Sequence, residues 1–172
     1  MKDFFDVIKS RASVKSYLDT PVEKQQVQQI VEAGTYAPTG RNRQSPIILA
    51  VTNKTLRDRL SALNAKILGT DTDPFYNAPC VLVVLADKSV NTHVYDGSVV
   101  MENMLLAAHA LGLGACWIHR AKEMFETEEG KQILNELGIE GEYEGVGNCV
   151  VGHAKISPAV KPRKENWAYF VE

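Results

Sequence analysis

Apolar positions along this chain change period several times, and each change marks an element. Asp3 to Ser10 reads as a short amphipathic helix with Phe4, Phe5 and Ile8 on one side. From Arg11 to Leu18 the helical period is lost, and basic or polar residues alternate with small apolar ones. Thr20-Pro21-Val22-Glu23 predicts a second helix start. Thr20 can cap, Pro21 suits the first helical position, and Glu23 completes a capping box. Val27, Ile30, Val31 and Gly34 follow at helical spacing, to about Tyr36. Pro38 to Pro46 is a polar loop and Ile47 to Val51 a short β-type run. Asn53 caps a helix through Leu56, Leu60 and Leu63 to about Leu68, and Gly69 to Pro79 is a turn-rich connection.

The second half is more apolar. Val81 to Leu85 is continuous and predicts a strand buried on both faces. Val94 to Leu111 predicts the longest helix, apolar nearly all round, which suits a central helix or an oligomer interface. Gly112-Leu113-Gly114 ends it, and Ala115 to Ile118 reads as a strand. Thr127 caps a helix carrying Ile133, Leu134 and Leu137, and Val146 to Val151 is the last buried strand. The tail from Pro158 carries basic residues and then Trp167, Tyr169 and Phe170. Helices and strands mix without a βαβ rhythm, which predicts an α+β domain spanning residues 1–172.

Composition narrows the function classes. The net charge of -2 argues against a general attraction to nucleic acid, so basic residues matter only as local clusters. No apolar run approaches the ~20 residues of a membrane span. The charged start Met1-Lys2-Asp3 lacks the apolar core of a secretory signal, so a cytoplasmic protein is expected. Cys80, Cys116 and Cys149 are widely spaced in apolar surroundings and read as buried free thiols. With His93, His109, His119 and His153 equally scattered, no metal site is expected.

Four segments could carry chemistry. In Arg11-Ala12-Ser13-Val14-Lys15, an extended backbone would project Arg11, Ser13 and Lys15 to one side. A guanidinium, a hydroxyl and an ammonium in one row suit a phosphate, although a solvated basic edge has the same composition. Lys161-Pro162-Arg163-Lys164 is a basic tail whose proline fixes the separation of its cations; it gains meaning only by folding onto the first cluster. The loop Ala37-Pro38-Thr39-Gly40-Arg41-Asn42-Arg43-Gln44 offers a hydroxyl and two carboxamides, suited to the edge of a flat heterocycle or simply to a polar loop. Gly114-Ala115-Cys116-Trp117-Ile118-His119-Arg120 is either a plain strand after a helix stop or a strand end lying against a planar cofactor. His119 is a candidate acid or base there, though a lone histidine is more often structural or exposed.

In this order the four segments resemble the FMN-dependent nitroreductase family. Arg11-x-Ser13-x-Lys15 is similar to its phosphate motif, and Ala37-Pro38-Thr39 with Asn42-x-Gln44 to its Ala-Pro-Ser-x-x-Asn-x-Gln loop. Gly112-Leu113-Gly114 with Cys116-Trp117-Ile118 is similar to the passage beside the flavin, and Val150 to His153 with Lys161-Pro162-Arg163 to the closing strand and tail.

The resemblance implies a nitroreductase-like fold: a central, mostly antiparallel sheet flanked by helices, in an intertwined homodimer with FMN at the interface. It implies that Arg11, Ser13, Lys15, Lys161 and Arg163 hold the phosphate. It implies that Pro38, Thr39, Asn42 and Gln44 approach the flavin from the partner subunit, and that Trp117, Ile118 and His119 lie beside the ring. Residues 158–172 would reach across the dimer, and the helix 94–111 would lie at its core. The activity implied is transfer of hydride from NAD(P)H to a small aromatic acceptor, a nitro compound or quinone. Flavin reductase, reductive dehalogenase and non-catalytic flavin-binding roles are the alternatives. Ala12 stands where many members have a second arginine. His119-Arg120 stands where many place glycine or an acidic residue near the flavin.

Overall fold

The computed structural model describes residues 3–172 and contains six α-helices and four strands. The strands are β1 (Pro46–Val51), β2 (Cys80–Asp87), β3 (Gly114–Ile118) and β4 (Tyr143–Gly152). They form one sheet in the order β1-β2-β4-β3, with every neighbouring pair antiparallel. The expected α+β class and antiparallel sheet are therefore found. Val81 to Ala86 are buried throughout, as the unbroken apolar run predicts for a central strand. Edge strand β1 is only half-buried over Pro46–Leu49.

The helices are α1 (Phe4–Ser10), α2 (Lys24–Thr35), α3 (Lys54–Leu68), α4 (His93–Ala110), α5 (Ala121–Glu126) and α6 (Glu128–Glu136). Helix α4 and α2 cover one face of the sheet, burying Val100, Met101, Met104 and Ala108 against Leu82, Val84 and Cys149. On the other face Leu60, Leu63, Met124 and Ile133, from α3, α5 and α6, close over Val81, Val83 and Val150. The expected caps of α3 and α6 are present: Asn53 accepts from the Leu56 N–H at 3.0 Å and Thr127 from the Gly130 N–H at 3.0 Å. Gly69 ends α3 in the left-handed conformation that glycine adopts without strain.

Two sequence expectations need correction, the start of α2 and the buried side of α1. Helix α2 starts at Lys24 with Glu23, not Thr20, at the cap position. Burial of Val22 in the core holds this entry segment extended, so the capping box never forms. Helix α1 buries Val7, whereas Phe4, Phe5 and Ile8 stay exposed; Phe5 is 62% accessible. Helix α4, expected to be central or at an oligomer interface, buries one face against the sheet and leaves Tyr95 and Val99 exposed on the other in the single chain. Helix α5 has no counterpart in the sequence pattern because its six residues are too few to establish a period.

Candidate functional site

The segment after α1 is extended, as the alternating pattern predicts. It joins β3 through a parallel bridge between Ser13 and Ala115, with the Val14 N–H donating to the Ala115 carbonyl at 3.0 Å. Further on it pairs with the chain beyond β4, where the Leu18 N–H reaches the His153 carbonyl at 2.9 Å. A side chain at Gly114 would meet Val14 at 2.8 Å, so glycine permits this close approach. Val14 and Tyr17 point into the core, and the Tyr17 hydroxyl donates to the Val14 carbonyl at 2.7 Å. Burial, helped by the nearby Cys116 and Cys149, pushes the Tyr17 phenol well up, so it serves as a neutral donor.

With Val14 inward, Arg11, Ser13 and Lys15 line a cleft of about 480 Å³. The opposite wall is the tail from Pro158 to Arg163, including Lys161 and Arg163. The tail thus folds over the N-terminal cluster within one chain. Arg11 Nη1 is buried and has no hydrogen-bond partner among the described residues. A buried donor left unpaired costs on the order of 1–3 kcal/mol. Cys116 lies beneath. Burial raises its thiol pKa, against the opposing pull of the Ser13 hydroxyl, Lys15 and Arg11. Burial also pushes the Cys80 thiol up to about 12, and all three cysteines are buried and free. Among the described residues no group of three His, Cys, Asp or Glu is placed to hold a metal.

The Pro38–Pro46 loop lies against another cleft, of about 330 Å³, lined by Thr39, Gln44, Ile48 and Val100. Thr39 Oγ1 accepts from the Gln44 N–H at 3.1 Å, and Gln44 Nε2 donates to Asn42 Oδ1 at 3.1 Å. Arg41, Asn42 and Gln44 all have positive φ, near 50°, which costs non-glycine residues about 1–3 kcal/mol each and requires support from the surroundings. The sequence reading missed the support. Asp96, buried in the first turn of α4, accepts from the Gly40 N–H at 2.9 Å, Thr92 Oγ1 at 3.0 Å and Ser45 Oγ at 3.2 Å. An acidic residue inside the most apolar helix was the available signal. Pro38 is exposed at the start of this loop.

The end of β3 is held differently. Trp117 packs on the α4 side of the sheet, with its indole N–H buried and unpaired among the described residues. Ile118 is buried on the opposite face. The His119 side chain is exposed and makes no hydrogen bond or ion pair among the described residues. Its carbonyl is gripped from inside: Asn64 Nδ2 donates to it at 2.8 Å and Asn148 Nδ2 at 3.3 Å. Arg120 follows with φ of 75°, and its Nε donates to Asn64 Oδ1 at 3.1 Å. Asn64 and Asn148 were also missed; each interrupts an apolar stripe, which is the trace a structural carboxamide leaves in a sequence.

Comparison with known proteins places the fold. The model of the nitroreductase family matches residues 8–70 and 68–153. A solved nitroreductase with bound FMN from Bacteroides fragilis superposes with a TM-score of 0.88 at 26% identity, covering 100% of both chains. Another with bound FMN, from Desulfitobacterium hafniense, gives 0.89 at 24% identity with the same coverage, a likeness of fold. An FMN reductase [NAD(P)H] of Bacillus subtilis is 27% identical over 178 residues, covering 92% of this chain and 70% of that one. Most of the chain, including both walls of the sheet and the Arg11–Lys15 segment, falls inside the family match, and the chain belongs to the nitroreductase family.

Proposed function

We propose that this chain is an FMN-dependent NAD(P)H oxidoreductase that reduces small nitroaromatic or quinone-type acceptors in two alternating half-reactions. The observation that carries the reading is the Arg11–Lys15 cleft. It gathers a guanidinium, a hydroxyl and an ammonium with Lys161 and Arg163, and leaves Arg11 Nη1 buried without an acceptor. That donor set fits a phosphate dianion. FMN, once bound, would supply the hydride chemistry, and the protein's share is to bind and orient it.

In this reading Arg11, Ser13, Lys15, Lys161 and Arg163 hold the phosphate. Main-chain N–H groups at the end of β3 offer dipoles to the ring where negative charge accumulates on reduction. Thr39, Asn42 and Gln44 complete the ring site across a homodimer. Support for the dimer comes from apolar side chains that one chain leaves uncovered: Phe4, Phe5, Tyr95 and Val99, and Trp167, Tyr169 and Phe170 in the tail. Residues 1–172 act as one domain whose tail, residues 158–172, reaches the second copy. No described helix is long and apolar enough to cross a membrane, and three buried free thiols suit the reducing cytoplasm.

Steady-state kinetics under anaerobic conditions test the reaction class. With NADH or NADPH varied against a panel of nitroaromatics, quinones, free flavin and halogenated aromatics, parallel double-reciprocal lines are expected with the nitro and quinone acceptors. Turnover confined to free flavin would instead assign a flavin reductase, as the Bacillus subtilis relative's name describes that protein. Bound flavin that neither nucleotide reduces would leave a non-catalytic flavin-binding role.

A further inference from the structure

The peptide between His119 and Arg120 is trans, as are all the described peptide bonds. Its C=O and N–H therefore point in opposite directions. The carbonyl is drawn inward by two carboxamides that are both wholly buried: Asn64 at 2.8 Å and Asn148 at 3.3 Å. The Arg120 N–H must then point away from the core. It has no acceptor among the described residues, and neither the neighbouring strand nor α5 takes it up. Arg120 pays for this orientation with a left-handed backbone, φ 75°, that a non-glycine residue seldom adopts.

Asn64 is built to hold the arrangement. It lies on α3, a different element, and uses both ends of its side chain on the same turn: Nδ2 on the His119 carbonyl and Oδ1 on Arg120 Nε at 3.1 Å. Its other N–H meets Met124 Sδ at 3.2 Å, so the carboxamide has no freedom to rotate. Asn148, on β4, holds the Ile118 and His119 carbonyls together from the other side. Rigid elements thus fix a peptide plane that is itself outside any strand or helix.

We propose that Asn64 is a positioning residue: by fixing the His119 carbonyl inward, it presents the Arg120 N–H outward as the hydrogen-bond donor offered to the ring of bound flavin. This rests on the flavin reading above. A donor held in place before binding favours the reduced, electron-rich ring over the oxidised one. The Arg120 side chain serves the same end. Its guanidinium donates to Asn64 and so supports a backbone shape that a non-glycine residue seldom adopts.

The test is the midpoint potential of bound FMN, with FMN affinity measured beside it, in the wild type, Asn64→Asp and Arg120→Ala. Asn64→Asp is nearly isosteric and keeps an acceptor for Arg120, but sets a carboxylate oxygen against the His119 carbonyl and turns the peptide. The preference for reduced over oxidised flavin should fall about tenfold, which a two-electron couple reads as about 30 mV more negative. Arg120→Ala leaves the core intact, covering the event that Asn64→Asp does not fold, and should shift the potential in the same direction by a smaller amount. Potentials equal to wild type in the folded variants would overturn the proposal. A wild-type protein that takes up no FMN would instead overturn the flavin reading on which it stands.

Discussion

Arg57 and Arg11 both withdraw guanidinium nitrogen from solvent, and the chain treats them in opposite ways. Arg57, on α3, is bonded through all three of its nitrogens. Its Nε donates to the Ala78 carbonyl at 2.9 Å, Nη2 lies 2.5 Å from Asp73 and Nη1 3.2 Å from Asp58. Asp73 is bound in turn by the Ser61 hydroxyl and by the N–H groups of Phe75 at 2.8 Å and Asn77 at 2.7 Å. Arg11 keeps a buried nitrogen without an acceptor, in a cleft walled by further cations. The contrast separates two uses of one side chain. A guanidinium bonded through each of its three nitrogens ties the turn-rich Gly69–Pro79 connection to α3; one with a buried nitrogen left unbonded supports the anion site proposed above.

Breaking the Arg57–Asp73 knot should have the largest effect. Arg57→Ala strands the half-buried Asp73 carboxylate and should destabilise the fold by about 3–5 kcal/mol, measured by urea denaturation. Breaking the open end should act on binding instead. Arg11→Ala should cost about 1.5–3 kcal/mol of FMN affinity by titration, with a much smaller change in unfolding midpoint. Equal losses of stability in the two variants would erase the distinction. Asp96→Ala should fall lower, at about 1–3 kcal/mol of stability, because the Gly40 N–H, Thr92 and Ser45 lose a common acceptor. FMN affinity should fall with it if the strained Thr39–Gln44 loop serves the ring. Asn53→Ala, which removes an exposed cap, should cost about 1 kcal/mol and leave FMN binding untouched.

Acid sharpens the same contrast. Burial opposes ionisation of Asp73, but the Ser61 hydroxyl, Arg57 and the Phe75 and Asn77 N–H groups outweigh it and hold its carboxyl below the ordinary value. The unfolded chain therefore binds the proton more readily than the folded one. The stabilisation is whole above the unfolded value of about 3.9 and is lost as pH falls through the lower folded value. Urea midpoints should drop below about pH 4, and Asp73→Asn should flatten that part of the profile.

How far the sequence carries the account depends on the kind of force involved. Strand β2 was legible because burial on both faces demands an unbroken apolar run, and α3 because its cap and terminal glycine are local signals. The start of α2 was not, since burying Val22 overrides a capping pattern that reads correctly in isolation. The Arg11–Lys15 row followed from strand alternation. Its closure by the Pro158–Arg163 tail depends on a contact across almost the whole chain, which no local pattern encodes. Asp96, Asn64 and Asn148 escaped for a related reason. Each is a single polar residue in an apolar element, and only tertiary structure tells which carbonyl or N–H it meets.

The central claim is that the cleft under Arg11 completes itself with the phosphate of FMN. The visible spectrum of the purified protein, before and after anaerobic NAD(P)H, tests this most directly. The account predicts a flavin spectrum that is retained through gel filtration, bleaches on adding the nucleotide, and is lost or weakened in Arg11→Ala. A colourless protein that takes up no added FMN, or one whose flavin is held equally well without Arg11, would contradict it.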